Sequence, residues 1–293
     1  MIVVHLFFGI LVLGPIIWGI NNVVRSRKEG KSKAGNLFWV LINSAVLYAI
    51  AYNLIFFFQE LFLVLGKKYL GLTAYLYHNN HGWDGTHEME TLMQGTGAFG
   101  IFVMGLLFLG LLFFFRIKNA VWRLLHVWLL FHALVQSLYQ VTVAYFAPES
   151  DVGQAFGYLK ISGSWLMVFS IVSIIIMIGV CLWLSRFFLG YVREEERVSM
   201  GQRLRFFRFM VFGGALVGSL IVLLFRVPPW GQAVFPFLIL LTVVPWIWAA
   251  SGLPKKATYF PNRLNSSLQW KPLVFLIALL AVFRLILETG IEF

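Results

Sequence analysis

The segment Tyr77-His78-Asn79-Asn80-His81-Gly82-Trp83-Asp84-Gly85-Thr86-His87-Glu88 holds three of the chain's six histidines and two acids within twelve residues. Neutral imidazole and carboxylate together suit zinc and similar divalent ions, and Gly82 and Gly85 permit the tight turns that would bring such ligands together. His78, His81, His87 and Asp84 are therefore candidate metal ligands. Two other readings fit the same residues: a hydrogen-bonded lid over a polar cavity, and a solvated loop.

Further polar residues sit inside apolar runs, where an ionisable or strongly hydrogen-bonding side chain costs a few kcal/mol unless it faces a partner or a cavity. Asn53 and Glu60 are seven residues apart and so share one helical face, with Gln59 beside the carboxylate. His132, Gln136 and Gln140 follow one another at i, i+4 and i+8 on another helix. Asn53, Gln59, His132, Gln136 and Gln140 are the expected lining of a polar cavity. The competing reading for the amides and His132 is simple cross-helix hydrogen bonding, worth about 0.6 kcal/mol each. Glu60 demands more, because a carboxylate near a membrane boundary needs a cation, a metal or a proton; Lys67 and Lys68, two turns on, could supply the cation. His5 and His126 lie near membrane borders, where a wet imidazole costs little, and neither is read as a ligand.

The elements that must hold these residues are membrane helices. Of 293 residues 60% are hydrophobic and only 12% charged, about half the charged fraction of a soluble globule, so the solvent for most of the chain is lipid. Ordinary cytosolic enzymes, secreted miniproteins and disordered tails are excluded. The single cysteine, Cys181, lies in an apolar run and supports neither a disulfide nor a redox role. Apolar runs of about 20 residues, enough to cross the hydrocarbon, fall at 2–24, 37–66, 95–115, 124–146, 164–189, 210–225, 233–251 and 272–287. The expected fold is an all-α polytopic membrane protein of about eight spans, one membrane domain over 1–293 whose polar-site core is 37–160 and whose residues 164–293 add four helices.

Basic residues set the orientation, since Lys and Arg in short loops stay on the cytoplasmic side. Seventeen of the 23 fall in alternate loops: Arg25, Arg27, Lys28, Lys31, Lys33; Arg116, Lys118, Arg123; Arg193, Arg197, Arg203, Arg205, Arg208; Lys255, Lys256, Arg263, Lys271. The other loops hold Lys67, Lys68, Lys160 and Arg226 but collect Asp84, Glu88, Glu90, Glu149 and Asp151. Both termini are thus expected on the outer side, and the net charge of +11 serves topology and anionic headgroups rather than nucleic acid. No basic stretch precedes the first run, which reads as an anchor rather than a cleaved signal. The Arg193–Arg208 stretch, with Glu194-Glu195-Glu196, reads as a solvated helix extension, and the sequon at Asn265 falls on the cytoplasmic side. Gln94-Gly95-Thr96-Gly97 and the Gly214/Gly218 pair offer close-packing faces, Pro228-Pro229-Trp230 makes a short turn, and Arg284 is expected to pair with Glu288.

The order of motifs resembles the site-2 protease family of intramembrane zinc metalloproteases. Over about 37–160 the carriers are Gln59-Glu60-Leu61-Phe62-Leu63, then Glu90-Thr91-Leu92-Met93-Gln94-Gly95-Thr96-Gly97-Ala98 opening the next span, then Ser150-Asp151-Val152-Gly153. They stand where the family has H-E-x-x-H, a small-residue span start and an L-D-G motif. The resemblance implies that Glu60 is the general base, catalytic if the chain is active, and that Asp151 is a metal ligand. The departures are Gln59 and Leu63 in place of both zinc-binding histidines and Val152 in place of the glycine after the aspartate. An amide is a poor zinc ligand and an alkyl chain none, so the usual three-ligand site cannot assemble unless the loop histidines replace it.

Three functions follow. The preferred one is a noncatalytic, pseudo-protease-like binding or accessory subunit of a membrane complex, with a partner membrane protein or peptide, in a bacterial inner membrane. The second is a metal-dependent hydrolase with Glu60 as base, for which zinc is the expected cofactor. The third is a transporter using Asn53, Glu60, His132, Gln136 and Gln140 as a path, although no inverted repeat supports it.

Overall fold

A computed structural model describes residues 2–27, 36–115, 117–192, 197, 199–228, 230–253, 264 and 267–293. Outside the described residues lie Lys28, Lys31, Lys33, Arg116, Arg193, the Glu194-Glu195-Glu196 run, Pro229, Lys255, Lys256, Arg263 and the Asn265 sequon. The helices are α1 (Ile2–Ser26), α2 (Phe38–Tyr69), α3 (Gly95–Phe114), α4 (Ala120–Val143), α5 (Asp151–Tyr158), α6 (Gly163–Leu189), α7 (Met200–Phe207), α8 (Gly214–Arg226), α9 (Val234–Thr242), α10 (Val244–Ala250) and α11 (Trp270–Leu285). A 3-10 turn, Leu92–Gln94, leads into α3, and a π-helical stretch, Arg208–Gly213, joins α7 to α8. The architecture is that of an all-α integral membrane protein. Among the described residues six helical stretches are long and apolar enough to cross a membrane: α1, α2, α3 with its 3-10 turn, α4, α6, and the continuous run from α7 through α8.

The last two expected spans are shorter. Residues 234–250 form two helices, because Pro245 has no N–H to donate to the carbonyl four residues back and the helix breaks at Val243. Helix α11 has 16 residues, a rise of roughly 24 Å against about 30 Å of hydrocarbon.

Helices α2 and α4 are central. In each, 78% of the most apolar window is buried, against 22% in α1 and 28% in α3 and α6, whose Leu, Ile and Phe side chains face outward. The polar stripes lie on the two central helices, where protein rather than hydrocarbon surrounds them. Helix α8 runs along α2, and α6 along α4. The small-residue faces do what their spacing suggests. A Cβ on Gly218 would stand 2.6 Å from the Tyr48 ring and one on Gly214 2.7 Å from Ser44 Oγ, so α8 approaches α2 as only glycine allows. On the other side of α2, a Cβ on Gly97 would stand 2.8 Å from Leu63, and Thr96 Oγ1 donates to the Phe62 carbonyl.

At the C-terminal end of α2 the chain makes a small antiparallel sheet that hydropathy did not foresee: β1 (Thr73–Leu76), β2 (His81–Asp84) and β3 (Ile291–Glu292), in the order β2-β1-β3. Leu76 faces His81 across the β1–β2 ladder, and Ile291 pairs with Leu76 on the other edge. Alternate residues of β1 are buried, so one face of the sheet caps the bundle.

Candidate functional site

The register of the hairpin decides what its histidines do. With Leu76 opposite His81, residues 77–80 form the turn and His81 is the first residue of β2. His81 and Trp83 fall on the same face of the strand and stack, ring centroids 5.8 Å apart, while Asp84 points the other way and accepts a hydrogen bond from the Tyr75 hydroxyl at the exposed edge. His81 lies over the last turns of α2, where its Nδ1 is 2.8 Å from Glu60 Oε2; its Nε2 is 3.1 Å from Oε1 of Gln94. Both partners are acceptors, so a ring that satisfies both carries two protons. Burial works against that charge, but the hydrogen bond and charge of Glu60, then Asp151 and Gln94, outweigh it and raise the His81 pKa above its ordinary 6.5. Glu60 is therefore paired with His81 and not with Lys67. The Lys67 ammonium stands 3.9 Å from the centre of the Trp83 ring and donates to the Glu90 carbonyl.

Around this pair is a cavity of about 290 Å³. Tyr52, Phe56, Gln59 and Glu60 come from α2, Asn79, Asn80 and His81 from the hairpin, and Gln136, Tyr139, Gln140 and Val143 from α4. Ser150 and Asp151 come from the start of α5, Arg226 from the end of α8, and Phe235 and Ile239 from α9. Asp151 is placed by the Ser150 cap, whose hydroxyl accepts from the Gly153 N–H. Burial first, then the Glu60 charge, raises the Asp151 carboxyl above its usual range. The amides form a chain: Gln140 donates to Gln59 Oε1 at 2.9 Å, Gln59 reaches Glu60 Oε1 at 3.4 Å, and Gln136 donates to Nδ1 of His132 at 3.3 Å.

Of the five expected cavity residues, Gln59, Gln136 and Gln140 line it. Asn53 and His132 lie deeper. Asn53 donates to the carbonyl of Ala49 one turn back, and His132 is fully buried among Tyr48, Tyr52 and Phe131.

The proposed metal ligands do not converge. His78 is buried beside the end of α11, where its N–H donates to the Leu287 carbonyl; burial and then the Arg284 charge hold its ring below the usual histidine range. His87 accepts the Met89 N–H in a local turn, and Asp84 is at the sheet edge. Only His81 and Asp151 reach the cavity, and among the described residues no group of three or more His, Cys, Asp or Glu side chains could hold a metal ion. The spacing misled because residues 78–87 cross a turn, a strand and a loop, each with its own direction. The donor chemistry agrees: a His81 ring bonded through both nitrogens offers no lone pair, Gln59 is engaged by Gln140, and Leu63 is fully buried hydrocarbon. A zinc site of the site-2 protease kind does not fit these residues as they are arranged.

Arg226, Tyr52, Tyr139 and Asn79 also belong to the site, and sequence reasoning did not place them there. Arg226 carried a signal: it is one of four basic residues in the acid-rich set of loops, at the end of an apolar run. Its guanidinium lies 3.4 Å from the centre of the Phe56 ring, and it is 1% exposed. Asn79 fixes the backbone there, donating to the carbonyls of Arg226 at 2.9 Å and Pro228 at 2.7 Å. Arg284 approaches Glu288 at 3.9 Å as expected, yet its shorter bonds go to the carbonyls of Leu224 and Val227 at the end of α8. No family model matches the chain, and neither does any curated protein or any solved structure.

Proposed function

We propose that this is a noncatalytic membrane protein that binds a ligand or partner segment in the polar cavity. In this reading it is a diverged relative of the site-2 proteases that keeps their order of motifs without their metal chemistry. The observation that carries the reading is the commitment of His81 through both ring nitrogens to Glu60 and Gln94 inside an amide-lined cavity. The His81 ring already occupies one Glu60 oxygen, and the amides of Gln59, Gln136 and Gln140 provide binding rather than proton transfer. The chain then serves as an accessory subunit of a membrane complex in a bacterial inner membrane, a single membrane domain of eight spans with both termini outside. Helices α9–α10 and α11 supply the last two spans, and the hairpin lies on the outer side. The alternation of basic and acidic loops supports that orientation.

Elemental analysis of the detergent-purified protein, beside His81→Ala, tests the noncatalytic reading. Transition metal well below one atom per chain in both is the expected result. Stoichiometric zinc in the wild type that disappears in the variant would revive the hydrolase.

A further inference from the structure

The direction of the hydrogen bonds around the cavity leaves acceptors over. Paired with the His81 ring, the Glu60 carboxylate can only accept, so Gln59 turns its amide N–H to Glu60 Oε1 and its own Oε1 to Gln140. Gln140 must then donate, and it does, to Gln59 Oε1 and to the Gln136 carbonyl. Its own Oε1 receives no hydrogen bond from any described residue. The Asp151 carboxylate, on the wall of the same cavity, likewise receives none from the described residues; Glu60, His81 and Lys67 act on it through space alone.

The remaining walls narrow the choice. Two acids, Glu60 and Asp151, and two bases, His81 and Arg226, line the cavity, so a ligand with a net charge of either sign meets a like charge there. A neutral ligand that brings donors is the better match. Among neutral donors the hydroxyl fits best. Each peptide unit carries a fixed carbonyl beside its N–H, and that oxygen would stand among acceptors, whereas a hydroxyl turns its proton toward whichever acceptor it meets. Adjacent hydroxyls can both donate to the paired oxygens of one carboxylate. Val143, Phe235 and Ile239 make an apolar side to the cavity, the complement of the C–H face of a sugar ring or of an alkyl chain. A volume near 290 Å³ holds roughly ten water-sized groups at about 30 Å³ each, the scale of one monosaccharide.

We propose that the cavity binds a neutral polyol of monosaccharide size, its hydroxyls donating to the Asp151 carboxylate and Gln140 Oε1 and its apolar part against Val143, Phe235 and Ile239. The inference rests on the binding reading above and names its ligand class. The polyol can be a free sugar or the sugar headgroup of a lipid, and the probes separate the two.

The test follows thermal unfolding of the full chain at neutral pH, purified in a polyoxyethylene detergent that carries no sugar. The probes are butyl glucoside, its tetra-O-methyl derivative, glucose, hexylamine and hexanoate; the variants are Asp151→Asn and Val143→Trp. Butyl glucoside should raise the melting temperature saturably and bind at least about tenfold more tightly than the methylated derivative, which keeps every oxygen and loses every donor. Glucose binding as well as butyl glucoside assigns the source to free sugar, and weaker binding of glucose assigns it to a lipid headgroup. Asp151→Asn, which replaces one acceptor oxygen by a donor, should reduce the preference for the unmethylated glucoside; an unchanged preference would remove Asp151 from the proposal and overturn it. Should that variant fail to fold, the wild-type probe series decides by itself. Val143→Trp fills the cavity without altering its charge and should weaken every probe. Equal binding of the two glucosides, or tighter binding of hexylamine or hexanoate, lost in Val143→Trp, would overturn the polyol assignment while leaving cavity binding intact. A glucoside shift that survives Val143→Trp would place the ligand elsewhere and sink the proposal. No shift with any probe would overturn the proposal together with the binding reading.

Discussion

His81 has two acceptors and one ring, and the energetics of the site turn on that. Removing the ring in His81→Ala leaves a buried carboxylate without its cation, which should destabilise the protein by roughly 3 kcal/mol in chemical or thermal unfolding. Glu60→Gln keeps an acceptor for Nδ1 and should be milder, about 1 kcal/mol. Equal losses in the two variants would mean that the pair is not the unit. The pH dependence has a definite sign. The folded pKa of His81 is raised above the ordinary 6.5, so its stabilisation is fully present below that pH and fades as pH rises through the folded value. Asp151, raised above 3.8, acts in the same direction: its ionisation on going to higher pH disfavours the folded state. Because the lowered His78 pKa works in the opposite direction over the same range, the His81 contribution is read as a difference: the melting temperature of the wild type relative to His81→Gln should fall from about pH 6 to pH 9. A difference of the opposite sign would show that the doubly protonated ring is not the folded form.

Between elements, the contact that most narrows what the sequence can be is α8 on α2. Gly218→Val places methyls where the Tyr48 ring and the Ala45 carbonyl already stand, at 2.6 and 3.0 Å from the new Cβ. The expected loss is about 1–3 kcal/mol, with the cavity disturbed as well because Arg226 ends the same helix. Gly179→Ala in α6, whose Cβ would meet nothing within 4 Å, is the control and should be neutral or stabilising by up to about 1 kcal/mol. Comparable losses in both variants would show that helix propensity and not close approach governs the α8 position. The hairpin is the other decisive element. Asn79 ties its turn to the end of α8, and β3 ties β1 to the end of α11, so the residue that pairs with Glu60 is held from two sides.

For the whole molecule, orientation can be read with a membrane-impermeant maleimide. Cys181 is fully buried, its thiol 3.7 Å from the Val243 carbonyl, and should stay silent in the native protein. A cysteine at Thr289, exposed beside the sheet, should label in intact spheroplasts; one at Lys118, exposed between α3 and α4, should label only after permeabilisation. The opposite pattern would invert the assigned topology and place the hairpin on the cytoplasmic side.

Composition alone determined that lipid is the solvent of this chain, because 12% charged residues cannot cover a body of this size in water. Hydropathy runs located the six long helices to within a few residues at most ends, since length and apolarity are local properties. The i, i+4, i+8 spacing of His132, Gln136 and Gln140 and the placement of Glu60 and Gln59 were legible for the same reason: helical periodicity is local too. The proline break that divides the seventh apolar run is local as well, but hydropathy does not register a lost hydrogen bond. Two things were not local. Strand register decided that His81 meets Glu60 while His78, His87 and Asp84 go elsewhere, and that register is fixed by the pairing of β2 with β1, which β3 holds from its other edge. Arg226, more than 140 residues from the hairpin, entered the site only because α8 packs along α2 on two glycines. Sequence spacing can say which side chains share a face of one helix; which faces meet is set by packing among elements far apart in the chain, and that only the tertiary structure decides.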